Sequence, residues 1–223
     1  MTETVRFRTA DNVGIVGDYR GPANHPVGYV LFLHMMPADR SSWLNLALNL
    51  AKENIASLAI DLRGHGESVH QGADILNYKN FTDEDHQASV QDVDAAIGWL
   101  KSEQNAPENK IVLVGASIGA NLSLTALAKH KDLIGAALLS PGLDYRGVQA
   151  DKDIVAINRT RKLFMAAAAD DIYSLQSMRA LAEKFDGAKQ VEEFTRGGHG
   201  ASMLETVPQL NDLLVRWVKE ILS

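Results

Sequence analysis

The sequence predicts an α/β fold, with a mostly parallel central sheet and helices on both of its faces. Short apolar runs alternate with amphipathic segments along the 223 residues, and strands joined by helical crossovers form parallel sheets. Several runs are apolar throughout, as in strands that are covered on both faces. No internal repeat, low-complexity tract or linker divides the chain, so we expect a single domain spanning residues 1–223.

Eight strands are predicted from short runs bounded by turn residues. The first two alternate polar with apolar side chains on either side of the Asp11-Asn12 turn, and most of the later ones are continuously apolar. The predicted strands cover residues 5–8, 14–19, 29–33, 55–60, 111–114, 134–139, 163–167 and 190–194.

The helices are predicted from apolar residues that recur every three or four positions, as at Val90, Val93 and Ile97. They cover residues 41–52, 84–102, 118–130, 177–185 and 207–222. Residues 68–83 show no clear period, so a loop is expected there. A loop with at most one short helix is expected between the sixth and seventh strands.

The composition excludes several classes of function. A net charge of −6 without a basic run argues against nucleic acid or an anionic membrane as a partner. The absence of cysteine removes disulfides, thiolate metal sites and cysteine nucleophiles. Residues 1–8 show no signal-peptide pattern, and the longest apolar run, residues 163–169, is far shorter than the roughly 20 residues that span a bilayer. We therefore expect a soluble, cytoplasmic protein without a metal site.

The strongest chemical signal is the run GASIG at residues 115–119, a G-x-S-x-G pattern. It follows a predicted strand and directly precedes a predicted helix, so Ser117 is expected at a sharp turn between small neighbours. Such a turn places the serine hydroxyl above the sheet, at the positive end of the helix. The alternative is that Ser117 merely caps the helix. We favour a nucleophile because a base and an acid follow at the same edge of the sheet.

A serine hydroxyl needs a base that removes its proton, and the base needs an acid that orients it. His199, in the run GGHG at residues 197–200, lies between the last strand and the last helix, at the edge where Ser117 lies. The alternative for His199 is an ordinary surface histidine. Asp170 and Asp171 both follow the seventh strand at this edge, and the residues alone leave the choice between them open.

The order Ser, Asp, His along the chain resembles that of the α/β-hydrolase fold family. The matching landmarks are the strand ending at His34, DRSSW at 39–43, DLRGHGES at 61–68, the serine turn, the two aspartates and GHG at 198–200. They extend from about residue 5 to about residue 220 in the family's order. The resemblance is to the branch of small esterases and dienelactone hydrolases, and it implies an α/β-hydrolase fold.

The resemblance also favours one aspartate. In relatives of this branch the triad acid often precedes the pattern x-Tyr-Ser, which the run DIYS at residues 171–174 matches. Asp171 is therefore the expected triad acid, with Asp170 as the alternate.

The family binds the oxyanion with two backbone N–H groups. One belongs to the residue after the nucleophile, here Ile118, and the other to the loop after the third strand, here Met36 by position. This loop reads HMMP at residues 34–37, whereas the family pattern is His-Gly-x, so Met35 occupies the place of a glycine. Pro37 has no N–H to donate.

Three other polar residues receive structural interpretations. His65 belongs to the family's turn after the fourth strand, and His34 is expected to hold the oxyanion loop by hydrogen bonds. Asp92 is expected on the solvated face of its helix.

The leading hypothesis is a serine hydrolase that cleaves a carboxylic ester, thioester or lactone through an acyl-enzyme, without metal or organic cofactor. Relatives with a lid often carry it between the sixth and seventh strands, where the 23 residues of this chain are too few for a large cap domain. This favours a small, soluble acyl substrate. The alternatives are acyl transfer or carbon–carbon bond hydrolysis on the same residues, or a ligand-binding receptor with slow turnover. We expect a monomer or a small homo-oligomer.

Overall fold

The structure, a computed structural model, describes residues 2–22 and 24–223. Its strands are β1 Thr2–Arg8, β2 Val13–Arg20, β3 Tyr29–Leu33, β4 Ala56–Ile60, β5 His70–Gln71, β6 Asp74–Ile75, β7 Ile111–Ala116, β8 Gly135–Leu139, β9 Asp144–Tyr145, β10 Val148–Gln149, β11 Lys162–Ala168 and β12 Ala188–Phe194. Its α-helices are α1 Leu44–Lys52, α2 Asp83–Gln87, α3 Val90–Glu103, α4 Ile118–Lys129, α5 Ala150–Asp153, α6 Ile172–Lys184, α7 Met203–Thr206 and α8 Pro208–Leu222.

The central sheet is parallel through six consecutive strands, in the order β12-β11-β8-β7-β3-β4. The strand β2 continues the sheet antiparallel to β4, and β1 pairs antiparallel with β2. The small hairpin of β5 and β6 extends the far edge. The predicted α/β-hydrolase fold, with its mostly parallel sheet, is confirmed.

Helices cover both faces of this sheet. Along β3, Leu31 and Leu33 belong to a core shared with α3, α4 and α6, while Val30 and Phe32 belong to a second core shared with α1 and α8. Because successive side chains of a strand point to opposite faces, a strand buried on both faces must be apolar throughout. Within the described residues, no helix combines the length and the apolar composition that crossing a membrane requires.

Two predicted helices have different bounds in the structure. The predicted helix 84–102 is divided into α2 and α3, because a capping box of Thr82 and Asp85 starts α2 early and the chain turns near Ser89. The last predicted helix before β12 begins at Ile172 rather than at residue 177, since the Asp171 side chain caps α6 by accepting from the Ser174 N–H.

The two long connections contain short elements. Residues 68–83 hold the β5–β6 hairpin and a 3-10 turn, and the segment between β8 and β11 holds the β9–β10 hairpin, α5 and a second 3-10 turn. These pieces form no large cap, as predicted. The β9–β10 hairpin lies beside the carboxyl end of β8, where a cap would be inserted.

The parallel strands end at one edge, so residues distant in sequence meet there. His34 follows β3, Ser117 follows β7, Ser140 follows β8, Asp171 follows β11 and His199 lies beyond β12. In open α/β sheets this carboxyl edge is where ligands bind.

Gly119 allows a close approach at this edge. A Cβ at this position would overlap the carbonyl oxygen of Leu33 and lie 2.7 Å from that of His34. The first turn of α4 can therefore pack directly against the backbone that leaves β3.

We predict that Gly119→Ala destabilises the protein by about 1–3 kcal/mol, since a methyl group would be forced against rigid backbone. Gly98→Ala is the matched control. Gly98 also lies in a helix, but apart from the neighbouring backbone of that helix no atom lies within 4 Å of the place that its methyl group would take, so a gain of about 0.5–1 kcal/mol is expected. Urea unfolding measures both changes. Equal effects of the two substitutions would contradict the close approach.

Candidate active site

Ser117 occupies a strained turn between β7 and α4. Its backbone angles, φ 54° and ψ −121°, lie outside the regions that most residues prefer, at a cost of about 1–3 kcal/mol. The Ser117 N–H donates to the Leu139 carbonyl of β8 at 2.9 Å, which ties the turn to the sheet. Gly115 and Gly119 face each other across the turn, and a Cβ on Gly115 would overlap the Gly119 carbonyl. Small residues are therefore required on both sides of Ser117.

His199 and Asp171 lie in direct contact. The His199 Nδ1 is 2.6 Å from Asp171 Oδ2, and the side chains are 39% and 16% exposed. A carboxylate accepts only, so Nδ1 carries the proton of this hydrogen bond and Nε2 is left to act as a base. Burial acts to raise the pKa of Asp171, but hydrogen bonds from Ser174 and His199 outweigh it and the pKa lies below its usual value. Asp171 is thus a stable anion beside the imidazole.

Asp170 has a different set of partners. Its Oδ1 accepts the backbone N–H of Gly197 at 3.2 Å and that of Gly198 at 3.1 Å. These bonds hold the loop that carries His199 rather than the imidazole itself. The two neighbouring aspartates therefore hold the same loop at two different points.

The Ser140 side chain connects the histidine loop to the sheet. Ser140 follows β8 with φ 50°, and its buried Oγ accepts the Gly200 N–H at 2.8 Å. A Cβ at Gly200 would lie 3.4 Å from the Cβ of Ala116. The residues that follow His199 thus pack against the residue that precedes Ser117.

Among the residues that the structure describes, no hydrogen bond joins Ser117 to His199. The Tyr145 hydroxyl, on the β9–β10 hairpin, lies close to Ser117. The Tyr145 ring stands edge-on to the His199 ring, with 6.1 Å between their centroids. Nucleophile–base hydrogen bonds are often long or poorly aligned in free enzymes and tighten around the substrate. The structure thus brings the serine and the histidine–aspartate pair to one edge of the sheet, with Tyr145 beside them.

The two predicted oxyanion donors lie on neighbouring segments. Ile118 is the first residue of α4, so its N–H has no acceptor within the helix. Met36 lies in the loop after β3, which Gly119 allows to pack against the first turn of α4. Within the described chain, the Met36 N–H has no hydrogen-bond partner either. Two free N–H groups next to a serine turn are the arrangement that stabilises an oxyanion.

Met35 fits where the family pattern has glycine because its side chain turns away toward the histidine loop. The Met35 Sδ would be 2.6 Å from a Cβ at Gly200, so a glycine there makes room for the thioether. Met35 packs on the core between the sheet and α8, and Met36 on the core of the opposite face. Both side chains are partly buried.

His34 holds the oxyanion loop, as predicted. Its Nδ1 is 2.9 Å from the Met35 carbonyl, and its Nε2 accepts the Leu62 N–H at 2.9 Å. These two partners fix the tautomer with the proton on Nδ1. Burial lowers the pKa of His34 to about 4, against the hydrogen bond with Met35, so the ring stays neutral.

His65 lies in the turn after β4, as expected. It contacts the Arg63 carbonyl at 3.0 Å, stacks on Tyr78 and stands edge-on to His34. Burial is also the main cause that lowers its pKa to about 4. It is a packed, neutral side chain.

The expectation of a solvated Asp92 is wrong. Asp92 is fully buried in the first turn of α3, where it accepts the Arg63 N–H at 2.8 Å and the Arg63 Nε at 2.9 Å. Arg63 also reaches Asp11 at 2.7 Å. Helical spacing did not reveal this role, because the partner is supplied by a distant turn.

Two residues of the site were missed in the sequence. The Tyr145 hydroxyl lies 2.9 Å from the buried Oγ of Ser174, and this Oγ is 3.4 Å from His199 Nδ1. The only sequence signal at Ser174 is its place in the family pattern DIYS, and Tyr145 lies in a connection without periodicity. Within the described chain, no three histidine, aspartate or glutamate side chains are grouped so as to hold a metal ion.

The fold and the grouping of Ser117, Asp171 and His199 at one edge of the sheet are those of an α/β hydrolase. The pattern of the family described as "Serine aminopeptidase, S33" matches residues 24–218, so the chain belongs to this family. The prediction of a hydrolase is thereby confirmed.

Solved structures show the same fold at low sequence identity. An esterase of Pyrococcus furiosus superposes with a TM-score of 0.79 at 18% identity, covering 100% of this chain and 93% of its own. Dienelactone hydrolase from Anabaena variabilis superposes with a TM-score of 0.76 at 17% identity, covering 99% of this chain and 95% of its own. Acetyl xylan esterase from Paenibacillus superposes with a TM-score of 0.78 at 18% identity, covering 98% of this chain and 83% of its own. At this level of identity the chain shares its fold with these esterases and with this dienelactone hydrolase.

One sequence relative carries a different activity in its name. A protein of Cyberlindnera fabianii named "Probable alcohol acetyltransferase" is 31% identical over 105 residues. The match covers 47% of this chain, and the chain spans about a quarter, 24%, of that protein.

The buried state of His34 predicts a pH dependence of stability. The unfolded chain binds a proton at His34 below about pH 6.5, whereas the folded protein binds it only near pH 4. The unfolded state therefore holds more protons in this window, so stability falls as the pH is lowered.

We expect the free energy of unfolding to fall less in His34→Gln than in the wild type between pH 7 and pH 4, by about 3 kcal/mol. Urea unfolding at both pH values measures this difference. Comparing the change with pH in the two proteins cancels two other contributions: the effect of the substitution at neutral pH, and the titration of groups that both proteins share. Parallel pH dependence in the two proteins would show that His34 is not buried as a neutral ring.

Proposed function

We propose that the protein is a serine esterase that hydrolyses a carboxylic ester, thioester or lactone of a small soluble substrate. The observation that carries the proposal is the 2.6 Å contact of Asp171 with His199, on a loop that packs against the strained turn of Ser117. Nucleophilic acyl transfer requires a serine hydroxyl and an oriented imidazole side by side, and Ser117 and His199 meet at the same edge of the sheet.

The reaction proceeds in two halves. Ser117 Oγ attacks the carbonyl carbon while His199 Nε2 takes its proton, and the oxyanion receives hydrogen bonds from the N–H groups of Met36 and Ile118. The intermediate collapses, and His199 gives the proton to the leaving oxygen, or to the leaving sulfur of a thioester. Water then attacks the acyl group on Ser117 while His199 takes a proton from it; the second intermediate collapses, the bond to Ser117 Oγ breaks, His199 returns the proton to Oγ and the acid is released. Asp171 stabilises the imidazolium in both halves.

The substrate class follows from the connection between β8 and β11. This segment contains one small hairpin and short helices in place of a cap, so little chain is available to enclose a long acyl group. Short, water-soluble acyl groups fit this arrangement. We further propose that one domain of 223 residues acts in the cytoplasm as a monomer or small homo-oligomer, with neither nucleic acid nor membrane as a partner.

Acyl transfer to an alcohol is the second candidate. The partial match to a named alcohol acetyltransferase favours it, and the chemistry differs only in the acceptor that attacks the acyl group on Ser117. The family description favours a third substrate type, an aminoacyl amide. An alcohol acceptor tests the second candidate, and aminoacyl anilides test the third.

The partners of the two aspartates predict unequal effects of their substitution. Asp171→Asn is expected to reduce kcat by about 10⁴-fold, because the wrong imidazole tautomer would face Ser117. Asp170→Asn is the matched control, since it makes the same change in the neighbouring residue. We expect it to lower kcat by less than about tenfold, because it weakens only loop contacts. Ser117→Ala sets the background. Ester turnover measures all three, and equal losses for the two aspartates would contradict the assignment.

The proposed substrate class predicts a profile of turnover. Among p-nitrophenyl esters, we expect kcat/KM to be highest for acetate to butyrate and to fall for acyl chains beyond eight carbons. Aminoacyl p-nitroanilides should be turned over more slowly than the short esters. With added ethanol, product analysis separates hydrolysis from transfer. A maximum at long chains or with the anilide would overturn the proposed substrate, and ethyl ester as the main product would favour the transferase.

A further inference from the structure

Tyr145 links the proposed nucleophile to the proposed acid through hydroxyl groups. Its hydroxyl is 2.9 Å from Ser174 Oγ, interacts with Ser117, and lies 3.3 Å from the Ser140 carbonyl. Ser174 in turn donates its backbone N–H to Asp171 Oδ1 at 3.4 Å, and its Oγ lies 3.4 Å from His199 Nδ1, beside the same carboxylate. These contacts form a second path from Ser117 to Asp171, which runs beside the path through His199.

The number of protons on each group decides which group donates and which accepts along this series of hydrogen bonds. Asp171 is an anion and only accepts, so Ser174 gives its one hydroxyl proton to the carboxylate. Ser174 Oγ, at 2.9 Å, is then the nearer acceptor for the proton of Tyr145, and the Ser140 carbonyl, at 3.3 Å, is the more distant one. In the free protein the Tyr145 oxygen is left to accept the proton of Ser117, which His199 takes during the reaction. Hydrogen bonds that point the same way along a chain strengthen one another. Burial raises the pKa of Tyr145 to about 12, so its proton is kept at neutral pH.

We infer that Tyr145 is a positioning residue, whose hydroxyl holds Ser117 and, through Ser174, fixes Asp171 for its contact with His199. This inference rests on the proposed function. Ser174 is fully buried, so the carboxylate it holds has little freedom to turn. Asp171 is needed most when the imidazole is charged, in the transition states. Loss of the Tyr145 hydroxyl should therefore lower kcat and leave KM nearly unchanged.

Tyr173, at the start of α6, contacts the same hairpin and provides a matched control. The Tyr173 hydroxyl donates to the Asp144 carbonyl at 2.8 Å and accepts the Asp144 N–H at 3.2 Å. The rings of Tyr145 and Tyr173 lie 5.6 Å apart. Tyr173→Phe thus removes a hydroxyl that holds the hairpin without touching Ser117 or Ser174.

The test measures kcat and KM for p-nitrophenyl acetate, together with Tm. Tyr145→Phe is expected to lower kcat by about 3- to 10-fold, as the loss of one hydrogen bond would, and to leave KM within about twofold of the wild type. Tyr173→Phe is expected to match the wild type in kcat. Ser174→Ala should resemble Tyr145→Phe, and the double variant should lose little more than either single variant, because both break one chain.

Three results would overturn the inference. They are a Tyr145→Phe variant as active as Tyr173→Phe, a loss confined to KM, and losses of Tyr145→Phe and Ser174→Ala that simply multiply. A kcat loss that merely follows a lowered Tm, in both tyrosine variants, would assign Tyr145 to the stability of the hairpin. A wild type no faster than Ser117→Ala would instead contradict the proposed function, and the inference would fall with it.

Discussion

The parallel alignment of six strands is the constraint on which the site depends. Five of these strands, from β11 to β4, are buried on both faces, and β12 is the more exposed edge strand. Neighbouring strands run in the same direction because a helix returns the chain over one face between them. Their carboxyl ends then lie side by side, and His34, Ser117, Asp171 and His199 are brought to one edge from distant parts of the sequence. Glycines at 115 and 119 allow the backbones to approach closely enough for this arrangement.

The sequence predicted the fold well because strands covered on both faces must be apolar. The run at 29–33 has the same bounds in the structure, and other central strands differ by a few residues. Predictions failed where a distant partner decides the conformation. Asp92 is buried because Arg63 reaches it, and α2 separates from α3 at a turn that periodicity does not show. Periodicity reports which face is apolar and contains no information on such pairs.

The candidate site was predicted to the level of its motifs. The glycine-flanked serine and histidine carry local signals, because each needs small neighbours in a turn. The partners of Asp170 and Asp171 depend on the three-dimensional path of a loop, which left that choice to a family resemblance. Tyr145 had no local signal, since its position beside Ser117 results from how the β9–β10 hairpin folds over the edge of the sheet.

The central claim is that Ser117 is an activated nucleophile, and covalent labelling tests it most directly. The folded protein would be treated with a fluorophosphonate, which phosphonylates activated serines, and the adduct located by peptide mass spectrometry. A single adduct on Ser117, absent after unfolding, is the result expected from the strained turn and the oriented imidazole. An unlabelled folded protein, or an adduct on Ser140 or Ser174 instead, would contradict the account.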